Sequence, residues 1–234
     1  NKEINIIVGF PKGGATYQMT EIMAPYLEEE LKQKIKITPM PGEGSYLAAK
    51  HILEEGNKGY TIFASTFAPY LANTILTKQA KYKIDDFSMI NLQWFDTDII
   101  VVNKHSKTKN LLSLLKQIKS NHKTIKTAVI YKSSGHLLLN LLLEKYNISK
   151  ENLDITFYKG GNEVRQALIR NNLDFIIVPS QGSETYRADI KALAINSSER
   201  TKRWDAPTLN EILEPLNINI PLLHGSMRGF SVSS

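Results

Sequence analysis

One stretch constrains the fold more than any other: Ile4-Asn5-Ile6-Ile7-Val8-Gly9-Phe10-Pro11-Lys12-Gly13-Gly14-Ala15-Thr16. Residues 4–8 are mostly β-branched and apolar, which suits a strand covered on both faces. The Gly13-Gly14 pair lets the backbone turn sharply and approach a neighbour closely. A helix is expected to open at Ala15 or Thr16. Its first amides have no intrahelical acceptor and lie at the positive end of the helix dipole. Such a junction can seat an anion.

The same rhythm recurs along the chain. Ile35 to Thr38 reads as a strand running into Pro41-Gly42-Glu43-Gly44-Ser45 and a helix to about Glu55. Tyr60 to Ser65 reads as a strand, followed by Thr66-Phe67-Ala68-Pro69 and a helix from about Tyr70 to Leu76. After strands at 88–93 and 98–103, a second series begins. A helix at 111–118 leads to a strand at 127–130, the turn Lys132-Ser133-Ser134-Gly135 and a helix at 136–146. A strand at 153–157 then ends in Tyr158-Lys159-Gly160-Gly161, with a helix at 162–171. Strands at 174–178 and 192–195 and a helix at 210–216 complete the pattern. Alternation of this kind predicts an α/β fold, its sheets mainly parallel with helices on both faces. No flexible linker separates the two series near 98–103. Two lobes joined by a stiff hinge are therefore expected, residues 1–100 with 223–234 returning, and residues 101–222.

Several chemistries are excluded or disfavoured by residue type. With 0 cysteines, disulfides, thiolate catalysis and cysteine-ligated metals are ruled out. Gly9 and Gly14 have the spacing of a phosphate-binding loop, but Ala15-Thr16 stands where Lys-Ser/Thr is required. Gly42 and Gly44 begin a dinucleotide fingerprint, yet Leu47 replaces its third glycine. No cofactor is expected. The histidines form no HExxH pair, and no Gly-x-Ser-x-Gly elbow is present. Ser133 or Ser134 with His136 is the one arrangement that could serve a small hydrolase or transferase. The net charge of +6 comes from dispersed lysines without arginine blocks, so nucleic-acid binding is not expected. Attraction of a small acidic ligand is the sharper reading of that charge. No apolar run reaches the length of a membrane-spanning helix.

What remains is the set of strand-to-helix turns. In open α/β sheets, ligands sit beyond the carboxyl ends of the strands. Four such turns combine glycine with a hydroxyl or a lysine: 12–16, 42–45, 132–135 and 159–161. Backbone amides at each can donate to an anion.

These residues also carry a family pattern. Ile7-Val8-Gly9-Phe10-Pro11-Lys12-Gly13-Gly14-Ala15-Thr16, Pro41-Gly42-Glu43-Gly44 and Gly59-Tyr60-Thr61-Ile62 occur in the order seen in the substrate-binding proteins of tripartite tricarboxylate transporters, the Bug-type receptors. Ser134-Gly135-His136-Leu137, Tyr158-Lys159-Gly160-Gly161, Leu193-Ala194-Ile195 and Ala206-Pro207-Thr208-Leu209-Asn210-Glu211 continue the resemblance, which covers residues 4–229.

The resemblance implies a two-lobed, periplasmic-binding-protein-like (Venus flytrap) fold in a periplasmic, monomeric receptor whose signal peptide has been removed. Such a receptor is not an enzyme. It captures a small carboxylate in an interlobe cleft and delivers it to the membrane permease subunits of the transporter. Gly13, Gly14, Ala15 and Thr16 would bind a carboxylate, and Ser65, Thr66 and Phe67 would line the first-lobe wall. Ser133, Ser134, Lys159 and Gly160 would meet the ligand from the second lobe. Tyr17 stands where the family usually has an aspartate, and Val178 lies near a second. An uncharged or aromatic tail on the ligand, against Tyr17, Phe67 and Val178, is therefore expected in place of an amino acid. The family usually continues beyond Ser234, with helices returning to the first lobe.

Overall fold

The structure, a computed structural model, describes residues 2–55, 59–66, 80, 82–120, 125–223 and 225–234. The expected helix at 70–76 and Phe67 lie outside the described residues. In chain order the elements are β1 (Ile4–Val8), α1 (Ala15–Leu31), β2 (Ile35–Pro39), α2 (Tyr46–Glu55), β3 (Thr61–Thr66), β4 (Phe87–Phe95) and β5 (Asp98–Asn103). They continue with α3 (Leu111–Lys119), β6 (Ile125–Ile130), α4 (Ser134–Lys145), β7 (Leu153–Tyr158), α5 (Gly161–Ile169), β8 (Phe175–Pro179), β9 (Ile190–Ile195), α6 (Leu209–Leu213) and β10 (Met227–Ser233).

Residue contacts divide the chain into two compact units, Asn1–Phe95 with Ser226–Ser234, and Asp96–Gly225. The first holds a sheet in the order β2-β1-β3-β10-β4, the second one in the order β7-β6-β8-β5-β9. In the first, β1 pairs parallel with β2 and β3, whereas β10 pairs antiparallel with both β3 and β4. In the second, β6 pairs parallel with β7 and β8, and β5 antiparallel with β8 and β9. Both sheets are thus mixed, where mainly parallel ones were expected. The difference comes from β10 and β5, which enter their sheets from the opposite direction to the helix-linked strands beside them.

Strand alternation explains why helices cover both faces. Along β5, Ile100 and Val102 face a core shared with α3, α4 and α6, while Ile99 and Val101 face one shared with α5. Successive strand residues point to opposite faces, so a strand apolar at every position must be covered twice. The first unit repeats the arrangement. Ile7 and Phe63 pack with Ala48, Ala49 and Ile52 of α2, while Ile6, Val8 and Ala64 pack with Tyr17 and Met19 of α1. Phe63 is fully buried, and burying a side chain of that size stabilises the fold by about 1.5–3 kcal/mol.

Candidate functional site

The parallel strands end together. Val8 is level with Pro39 and with Ala64, so the turns after β1, β2 and β3 share one sheet edge. The first turn leads into α1 through Gly13, whose φ of +80° lies in the left-handed region that glycine adopts without strain. Gly14 is extended, and no side chain caps the helix behind it. The first-turn amides of Ala15, Thr16 and Tyr17 therefore depend on something other than a side-chain cap.

Beneath that helix start lies a hydroxyl cluster. Thr16 Oγ1 is 3.1 Å from Thr66 Oγ1 at the end of β3. Ser226, which precedes β10, donates to Thr66 Oγ1 at 3.5 Å. Ser65 beside it is buried, its Oγ directed to the Thr66 carbonyl at 3.4 Å. The structure therefore brings Gly13–Thr16 together with Ser65 and Thr66. Ser226 had no sequence signal, standing 160 residues from Thr66 in an unremarked loop. At the second turn Ser45 is wholly buried at φ +70°, its Oγ donating to the Gly9 carbonyl at 3.1 Å. It serves to tie two turns together.

Tyr17 and Val178 differ from expectation. Tyr17 is a core residue beside Ile6, Val8 and Phe230, because position three of α1 turns inward onto the sheet. Val178 is 1% exposed and packs with Val164 and Leu168 of α5. As the fourth residue of β8, it lies on the face that α5 covers. Neither side chain is open to a ligand tail.

In the second unit Ile130 is level with Tyr158, which sets the β6–α4 and β7–α5 turns side by side. Ser133, Ser134, Lys159 and Gly160 thus share one sheet edge. Ser133 caps α4, its Oγ accepting from the His136 amide at 3.2 Å. The His136 ring accepts at Nδ1 from the Lys132 amide at 3.2 Å. These contacts run from side chain to backbone, so the serine–histidine pairing expected of a hydrolase is replaced by a helix cap. Burial first, and the positive charge of Lys150 second, hold His136 below the ordinary histidine pKa. Lys132 bends the chain with φ +61°. Gly160 precedes α5, which no side chain caps.

A buried arginine supports this edge and escaped the sequence reading. Arg165 is 3% exposed, with Nε donating to Ser183 Oγ at 2.7 Å and Nη2 to the Pro179 carbonyl at 3.0 Å. Gly161 and Gly182 make room for it. A Cβ at either would stand 2.6 Å from Nη1 or 2.7 Å from Nη2. The 3-10 segment Gln181–Tyr186 is also fixed at its start, where Asp96 accepts from Ser180 Oγ at 2.7 Å and from the Gln181 amide. At its end the Tyr186 hydroxyl meets Asn162 Oδ1. Arg165 sits one position from Val164 on a helix whose other inward residues are Ala167 and Leu168. Only the glycines at 161 and 182 hinted that a large group needed space.

A groove of about 630 Å³ opens elsewhere in this unit, lined by Lys109, Leu112, Lys191, Leu193, Pro207 and Ile212 among others. Pro179 is level with Asp98, while Ile190 is level with Asn103 at the other end of β5, so the groove lies at the edge away from the glycine turns. Among the described residues no group of three or more His, Asp or Glu side chains could hold a metal, and no helix could cross a membrane.

Solved structures share this fold of two mixed sheets with glycine turns at the strand ends. MatC from Rhodopseudomonas palustris with bound malate superposes with a TM-score of 0.85 at 21% identity, over 99% of this chain and 78% of that one. Rpa4515 of R. palustris with adipate gives 0.86 at 19% identity, over 99% and 76%. The chain belongs to the tripartite tricarboxylate transporter family receptors, whose family model matches residues 20–221. It is similar to the protein BugT of Bordetella pertussis, 26% identical over 220 residues, 92% of this chain and 67% of that protein. It spans about two thirds of the length of the curated relatives it matches. The family is one of transport receptors.

Proposed function

We propose that this chain binds a small organic carboxylate in the periplasm and presents it to the membrane subunits of a tripartite transporter. The amides of Ala15, Thr16 and Tyr17, with the Thr16 hydroxyl, would hold a carboxylate at the start of α1. Gly13 and Gly14 let the chain turn there, while Ser65 and Thr66 support the seat from β3. Ser133, Ser134, Lys159 and Gly160 would form the corresponding edge of the second unit. A carboxylate suits such seats because charge-assisted bonds from amides and hydroxyls are stronger than neutral ones. The dipoles of α1 and α5 add to the attraction at their amino ends.

The observation that carries this reading is the α1 amino terminus, uncapped by any side chain and set over the Thr16–Thr66–Ser226 hydroxyls. Malate and adipate are the acids named for two proteins of the same fold, which supports carboxylates as the ligand class.

Native mass spectrometry of gently purified protein tests it. A retained small acid, displaced by excess carboxylate and lost in Thr16→Val, is the expected result. Protein that carries no acid and takes none up from a panel of mono-, di- and tricarboxylates would count against the reading.

A further inference from the structure

We infer that the second-unit edge is built for a carboxylate bearing a flat aromatic group, an aryl acid in preference to an aliphatic one. The inference rests on the receptor reading above and concerns the Ser133–Ser134 turn. Three rings cluster together, two of them flanking that turn in sequence. Tyr131 follows β6 directly, Phe157 is the penultimate residue of β7, and His136 lies in the first turn of α4. The Tyr131 and Phe157 centroids are 5.5 Å apart with planes at 88°. His136 stands 5.5 Å from Phe157 and 5.9 Å from Tyr131.

This cluster is not a core. Tyr131, just past the end of β6, is 48% exposed, and Phe157, on the edge strand β7 where half of the residues are exposed, is 54% exposed. Lys132, at φ +61°, bends the chain between Tyr131 and Ser133, which caps the helix. Lys132 Nζ lies over the Tyr131 ring, but more than half of Phe157 is open to solvent, and a further ring can join there at a centroid distance of roughly 4.5–7 Å. An alkyl chain gains only buried area there and adds its own rotamer entropy cost. Lys132 Nζ, 5.1 Å from the Tyr131 ring centre, supplies a positive charge beside the rings. One ligand can use both features only if it joins an anion to a ring.

Calorimetric titration of benzoate, phenylacetate and adipate tests the inference on wild type, Phe157→Leu and Tyr131→Leu, substitutions that keep apolar bulk. The aryl acids should bind wild type at least about tenfold more tightly than adipate. Phe157→Leu should weaken them by about five- to tenfold, as expected for loss of an aromatic pair, and change adipate less than twofold. Adipate binding as tightly as the aryl acids would overturn the inference and leave the receptor reading standing. So would an aryl-to-adipate ratio unchanged by both substitutions. Failure of all three acids to bind wild type would overturn the inference, while the receptor reading would fall only if the wider panel of mono-, di- and tricarboxylates also went unbound.

Discussion

Arg165 shows at the scale of one residue how side chains set the candidate site from behind. Its guanidinium joins the start of α5 to the segment after β8, in space that Gly161 and Gly182 leave open. Gly182→Ala should lower the melting temperature by several degrees, in line with about 1–3 kcal/mol for overpacking a tight interior, and thermal denaturation checks it. His136 gives a second prediction. Its folded pKa lies below the ordinary value, so the unfolded chain binds the extra proton first as pH falls. Stability should therefore be flat above about pH 6.5 and decline as pH drops from there through the folded pKa. Lys150→Gln removes one cause of the shift, so it should narrow that window. Chemical denaturation from pH 7.5 to 5 reads both effects, with Lys150 the charge that acts on His136.

At the scale of elements, the β1–α1 junction controls affinity. Gly14→Asp would place a carboxylate beside the α1 amides in the manner of a helix cap. Ligand affinity should fall at least about tenfold, measured by calorimetry, because the new side chain competes for the donors. This junction was legible in the sequence, and β1 has the bounds that its β-branched residues indicated. The β6–α4 and β7–α5 turns were equally legible, since glycine and serine there interrupt strong apolar runs. β10 was not. Its sequence Met-Arg-Gly-Phe-Ser-Val-Ser has little strand signal, and its conformation comes from pairing with β3 on one side and β4 on the other. Propensity cannot report a strand that tertiary pairing creates. Ser226 and Arg165 were hidden for the same reason, their partners being distant in sequence.

For the whole molecule, the first unit carries an edge strand with apolar exposure. β4 ends the sheet order and exposes Ile90, Leu92 and Phe95. Open apolar edges invite pairing with another chain, so Ile90→Lys should reduce concentration-dependent association in sedimentation velocity. The second unit is covered on both faces of its sheet by α3, α4, α5 and α6. The account of both units rests on backbone donors recognising negative charge at the strand ends. Calorimetry of a binding carboxylate against its own carboxamide tests this most directly, because the two differ little in shape. The carboxylate should bind and the carboxamide should be at least about a hundredfold weaker, as expected when charge-assisted bonds are lost. Equal affinity for the two would contradict the account.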